Sequence, residues 1–337
     1  MDRRTGLLAL AFVLLWNSGF IGAEYVLPHA GPFTQLFWRY LALATILCLG
    51  LAVGGRLCWP GKSVAGAHGL IGVLAHAVWL GAVLLSLQAG VPAGMVALVV
   101  ALQPLATGVF SGRVTGEPTT LRRWLGLSVG FIGVGFTVVW RVRGGASEAW
   151  GYYLLPFLAA LAMTAATLIQ RRLELRSPRF RLALGPALFY QCAASALVLL
   201  PPALLAERLR TEWSAEFFAG LAWLIGAVSL GAYGLMWELL KRIDSARVAS
   251  LFYFGPPVTM LMAWIAFGDE LRWTDGLGLG LVLLVVVLAQ DGSKRVARSG
   301  PAGTQENARR SSVNESKAAE APAASSSSLP CAPVATA

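Results

Sequence analysis

Charge is what this chain has least of. Asp, Glu, Lys and Arg make up 13% of its 337 residues, roughly half the usual share in soluble domains. That scarcity excludes an ordinary solvated surface. Cysteine and histidine are thin as well. Cys48, Cys58, Cys192 and Cys331 stand without paired or metal-ligand spacing, and His29, His68 and His76 are the only histidines. A disulfide framework and a zinc site are therefore excluded, and no metal or other cofactor is expected. The full Gly-x4-Gly-Lys-Ser/Thr phosphate loop is missing, which excludes the common form of ATP coupling. No Ser/His/Asp constellation stands out, so an enzyme is not expected.

What the chain has instead is apolar length, with 56% hydrophobic residues. Ten runs approach the ~20 residues a helix needs to cross ~30 Å of hydrocarbon. They are read at Gly6–Val26, Phe33–Val53, Ala67–Leu87, Ala93–Gly112, Trp124–Trp140, Tyr152–Ile169, Leu184–Ala206, Phe217–Leu239, Ala246–Phe267 and Asp275–Ala289. They are rich in Leu, Ala and Gly, and in lipid a helix satisfies its own backbone hydrogen bonds. The expected fold class is an all-α polytopic membrane protein with ten transmembrane helices. The first run is too long for a cleaved signal peptide and is expected to stay. After about Asp291 the composition turns to Ser, Ala, Pro and Gly. Residues 291–337 are expected to form a disordered tail, whose basic start at Lys294, Arg295 and Arg298 can rest on anionic lipid.

Basic residues orient the helices. With the N-terminus in the cytoplasm, twenty-one of the 27 Lys and Arg fall on inside segments, five on outside segments, and Arg39 within a span. Arg141 and Arg143 are the local misfit. Both termini are expected inside. The same split accounts for the formal charge of +10 without nucleic acid as a partner.

A further pattern is internal. Val96-Ala97, Pro104, Gly116-Glu117 and Gly126-Leu127 recur as Val248-Ala249, Pro256, Gly268-Asp269 and Gly278-Leu279, each displaced by 152 positions (248 − 96). The chain is read as a five-helix repeat over 1–145, a second over 146–290, and the tail. Five is odd, so the second repeat enters the membrane from the opposite side. Two inverted repeats related by a pseudo-two-fold axis in the membrane plane give alternating access to a midplane site.

With the repeat come motifs. Trp16-Asn17-Ser18, Trp38-Arg39-Tyr40-Leu41-Ala42 and the Pro104–Glu117 spacing resemble the drug/metabolite transporter superfamily, in particular its EamA-type permeases. Ser18-Gly19-Phe20-Ile21-Gly22-Ala23 is similar to one bacterial branch. The resemblance covers about residues 5 to 290. It implies a multi-pass carrier in the bacterial inner membrane, often an exporter of small organic solutes, with a cavity lined from both halves. Glu24 departs from the pattern, because many relatives carry Lys there. The alternative is a non-transporting membrane sensor or scaffold module. Proton and sodium coupling, and monomer and dimer, stay open.

Ionisable groups inside spans are functional candidates because they are costly in lipid. Glu24 and Arg39 lie within ~6 Å of the same depth at a 1.5 Å rise per residue. They are either a structural pair, or Arg39 grips an anionic group while Glu24 exchanges a proton or holds a cation. His76 is mid-span with Trp79 on the same face, suited either to proton coupling or to a hydrogen bond with a neighbouring helix. Trp16 and Trp79 are at cavity depth, unlike the belt tryptophans 59, 124, 140, 150, 213 and 273. Their faces suit cations or apolar groups, and equally plain packing. Gln103, Tyr233, Trp237 and Tyr253 are further substrate-binding or coupling candidates. Glu238 is read as an interfacial partner of Lys241 and Arg242. Pro104, Pro256 and Pro257 bend two helices at matching places, as hinges or as static kinks. Gly116-Glu117 and Gly268-Asp269 are read as a helix stop followed by an acid that offsets the next helix's dipole.

Overall fold

A computed structural model describes residues 3–115, 121–143, 147–243, 245–269, 273, 275–277, 279 and 280. Every regular element among them is a helix; the one β feature is an isolated antiparallel bridge between Ala30 and Thr211. Among the described residues, seven helices are long and apolar enough to cross a membrane. They are α1 (Arg3–Val26), α2 (Pro32–Val53), α3 (Lys62–Gln88), α4 (Ala93–Phe110), α6 (Trp150–Arg176), α7 (Leu184–Leu205) and α8 (Ala215–Leu240). Two further helices have shorter apolar stretches: α5 (Leu121–Arg143), apolar over Trp124–Trp140, and α9 (residues 245–267), apolar over Phe252–Phe267. Helices thus run through the first nine expected segments. The tenth, at Asp275–Ala289, lies largely outside the described residues, as do Glu117 and the 291–337 tail.

The outer faces are apolar. Leu10, Leu49, Ile132 and Leu197 are all exposed, the inverse of a soluble bundle and the arrangement lipid requires. Between the helices the buried positions are often small, with Ala9, Ala23, Ala93, Ala159, Ala203 and Ala263 among them. Small side chains let helices approach where no hydrophobic force separates core from lipid. Gly72 is the limiting case: a Cβ there would land on the Gln191 backbone, so α3 and α7 meet main chain to main chain.

The halves interlock. α1 packs on α8 and α9, α6 packs on α3 and α4, and α7 lies along α2. Each pairing has its counterpart 152 positions away.

Two helices break and two widen, and both pairs also match at that offset. α4 is interrupted at Ala101–Leu102 and resumes as Gln103–Phe110, with Pro104 in its first turn. α9 runs as Ser245–Leu251, passes through a 3₁₀ turn at Phe252–Phe254, and resumes as Gly255–Phe267 with Pro256 and Pro257 in its first turn. Proline has no N–H to give the preceding turn, so each interruption falls just before the expected residue. α3 widens into a π-helix at Val73–Val78 and α8 at Leu224–Ala232. Gly268 ends α9 in the left-handed conformation, φ 74°, and its N–H closes on Trp264 O at 3.0 Å. This is the expected helix stop. Cys48 and Cys192 keep free thiols.

Candidate functional site

The helices enclose a central cavity with walls from α1, α2, α3, α7 and α8. On α1, Trp16, Gly19, Phe20 and Ala23 face it at the spacing of one helical stripe. α2 contributes Arg39 and Tyr40, α3 contributes His76 and Trp79, and α8 contributes Ser229 and Tyr233. The space available to water-sized molecules is about 80 Å³. Trp16 packs on Tyr233 with ring centroids 5.4 Å apart, and Tyr40 on His76 at 4.9 Å. An aromatic wall is thus built from both halves.

Arg39 is the only permanently charged residue on this wall among the described residues. It is 7% exposed. Its Nε and Nη2 both donate to Ser229 Oγ, at 3.3 and 2.9 Å. Ser229 in turn donates to Leu224 O at 2.9 Å, a side-chain bond across the π-helical turn. Sequence reasoning missed Ser229, because a serine among Leu, Ala and Gly reads as packing. Tyr40, also missed, stood next to Arg39 in the second-helix motif. His76 is 8% exposed and Trp79 half-buried, and His76 Nε2 and Trp79 Nε1 are buried without a hydrogen-bond partner.

A second space, about 360 Å³, is lined by Gln170, Glu174 and Leu184 and shares His76, Leu188 and Tyr233 with the wall of the central cavity. Trp237 lines this vestibule. The opposite end of the bundle is closed by a strap. Glu207 accepts from Phe33 N and Thr34 N at 3.1 and 2.7 Å, capping α2. Trp38 Nε1 donates to Thr211 Oγ1 at 3.0 Å, and Glu212 N donates to His29 O at 2.8 Å.

The structure therefore gathers Trp16, Arg39, His76, Trp79 and Tyr233 around one cavity. It does not gather the rest. Glu24 and Arg39 do not pair. Glu24 lies one residue past Ala23, about 100° around α1, and its neighbouring charge is Asp269. Its Oε2 is buried without a hydrogen-bond partner. Gln103 turns its Nε2 to Thr107 Oγ1 at 2.9 Å, and Tyr253 packs on the apolar core. Glu238 makes the expected contacts with Arg242 and Lys241, at 2.7 and 3.4 Å.

The sequence model of the EamA-like transporter family matches this chain twice, over residues 4–139 and 149–289. The chain belongs to that family. It is 25% identical over 279 residues to the inner membrane transporter YedA of Escherichia coli K12, itself uncharacterised, covering 82% of this chain and 88% of YedA. It is also 25% identical over 299 residues to a Salmonella typhimurium protein named as a probable amino-acid metabolite efflux pump, covering 84% and 93%. A protein of known crystal structure, 20% identical, shares the fold with a TM-score of 0.55 over 86% of this chain and 98% of its own. The chain is thus a membrane transporter by family.

Proposed function

We propose that this protein is a secondary active transporter that exports small organic metabolites or drugs across a bacterial inner membrane by alternating access. The cavity carries the reading: it lies between helices of both halves, is sealed at one end by the Glu207 strap, and meets a vestibule at the other. Ten spans form two inverted five-helix repeats. The double family match, the mirrored packing of α1 and α6, and the paired helix breaks support this. Both termini are cytoplasmic, as the distribution of Lys and Arg favours. The vestibule then faces the cytoplasm and the strap faces outward, an inward-open conformation. Pro104, Pro256 and Pro257 sit at hinges where α4 and α9 flex as the halves rock. Energy comes from a gradient of substrate, proton or sodium.

The test is solute flux in proteoliposomes, with cysteine labelling from each side. Transport of a small organic solute, with the 113–123 loop labelled from inside and the 268–275 loop from outside, is the expected result. Both loops labelling from one side removes the inverted repeat. A folded protein that moves no solute removes transport and leaves the sensor or scaffold reading.

A further inference from the structure

Resting on the transport reading, we propose that the central cavity selects organic monoanions: solutes with one carboxylate and no charged amine, on an apolar or aromatic body. The charge on the cavity wall is unbalanced. Arg39 lines the cavity, and no carboxylate does among the described residues. Glu24, the nearest candidate along α1, lies instead within electrostatic reach of Asp269. Glu174 stands half-buried in the vestibule, where Gln170 Nε2 donates to its Oε1 at 2.9 Å. A guanidinium always carries its charge, and a buried cation without a counter-ion is costly. Ser229 is a neutral acceptor and takes only Nε and Nη2; Nη1 has no hydrogen-bond partner among the described residues. A carboxylate on the solute supplies the missing charge and accepts from the planar fork.

Two further groups point the same way. Trp79 Nε1 can only donate, and it is buried without an acceptor. His76 Nε2 also has no partner, on a ring more than nine-tenths buried that lies beside the Gln191 side chain of α7. Both residues share the cavity wall with Arg39. A carboxylate has lone pairs for the guanidinium and the indole N–H, and for His76 Nε2 in the tautomer that carries its proton there. The aromatic faces of Trp16 and Tyr233 are left for the solute's body.

An ammonium on the same solute meets the opposite environment. It stands within about 7 Å of Arg39 with no carboxylate to accept from it, and like charges at that range in a partly desolvated site weaken binding about tenfold or more. Cation–π contact recovers only part of this, and Arg39 itself lies 5.8 Å from the Tyr40 ring centroid.

The experiment uses the full chain in proteoliposomes and matched triads that share an apolar body: 3-phenylpropionate, phenylalanine and phenethylamine; 4-methylvalerate, leucine and isoamylamine. Flux is read by mass spectrometry above protein-free vesicles. The carboxylate is expected to move at least about tenfold faster than its partners. Arg39→Lys should keep that order at reduced flux, and Arg39→Gln should abolish it. If Arg39→Gln fails to fold, the wild-type order decides. Faster flux of the amino acid or amine overturns the proposal, as does an unchanged order in folded Arg39→Gln. If no triad moves, untargeted profiling of solutes exported by expressing cells decides by charge: cargo with an ammonium overturns the proposal and leaves transport standing, and carboxylates without one support it. No cargo of any charge overturns the proposal together with the transport reading.

Discussion

Thr259 Oγ1 in α9 donates to Asn17 Oδ1 in α1 at 3.0 Å, a buried bond across 242 residues of chain. The Asn17 amide is used twice, since Nδ2 donates to Val13 O at 2.7 Å. A Cβ on Gly255 would come within 3.0 Å of the same Oδ1. Asn17 thus holds α9 just beyond its break, next to Trp16 on the cavity wall.

The Asn17–Thr259 bond should be measurable. Asn17→Ala and Thr259→Val should each lower the melting temperature in detergent. Their double-mutant cycle should give a coupling of about 1 kcal/mol, the scale of interhelical hydrogen bonds in membranes. Additive effects would mean that the bond contributes nothing.

Glu24 and Arg39 should behave independently. Neutralising both, as Glu24→Gln with Arg39→Gln, is expected to give losses in thermal stability that add to within ~0.5 kcal/mol. Recovery of stability in the double variant would restore the ion pair that the structure lacks. The coupling partner expected for Glu24 is Asp269.

Ser229 positions Arg39. Ser229→Ala removes the acceptor of two guanidinium bonds and the bond to Leu224 O. Apparent substrate affinity in flux assays should fall about three- to tenfold, given that hydrogen bonds to charged groups are the stronger kind. Maximal flux and expression should hold, and Ser229→Thr, which keeps the hydroxyl, should recover most of the affinity. A drop in maximal flux at unchanged affinity would assign Ser229 to the conformational step instead.

Much of this arrangement is legible from residue depth. Trp16, Arg39, His76, Trp79 and Tyr233 are polar or aromatic groups in mid-span, and the structure brings them to one cavity. Depth does not give the direction a side chain faces, and there the sequence reading failed. Glu24 matches Arg39 in height but lies on another face of α1. Gln103 is satisfied by Thr107 within its own helix. The widened turns in α3 and α8 leave no trace in composition, because the same Leu, Ala and Gly build α- and π-helix. The Glu207 cap had a faint signal: α2 begins at Pro32 after Gly31, without a side chain of its own to cap it. Such a helix start needs donors satisfied from elsewhere.

The strap gives a lock that can be tested. Ala30 and Thr211 form an antiparallel bridge, and residues paired this way have Cα atoms about 4.5–5.5 Å apart, within disulfide range. Ala30→Cys with Thr211→Cys should cross-link under mild oxidant. Flux should fall to background and return on reduction, while either single variant stays active. A cross-linked protein that still transports would show that this end does not open during the cycle.

His76→Gln separates hydrogen bonding from titration. If protons are coupled through this ring, the variant should lose flux driven by a pH gradient and keep substrate exchange. Wild-type gradient-driven flux would leave His76 as a neutral group on the cavity wall.

The π-helical turns at Val73–Val78 and Leu224–Ala232 act as phase shifts in otherwise regular helices. Each accommodates extra chain within a turn, so the residues after it face a direction they would not reach in uninterrupted α-helix. One residue corresponds to about 100° of rotation. Deleting a single residue from 73–78 would remove that extra chain and let α3 close into regular α-helix with Trp79 still on the cavity wall, whereas forcing the full sequence into α-helix would turn Trp79 by about 100°. Sliding a wide turn along its helix by one residue rotates a short stretch of side chains and leaves both helix ends in place. The two halves thus contain matched places where a wall can turn without the bundle coming apart.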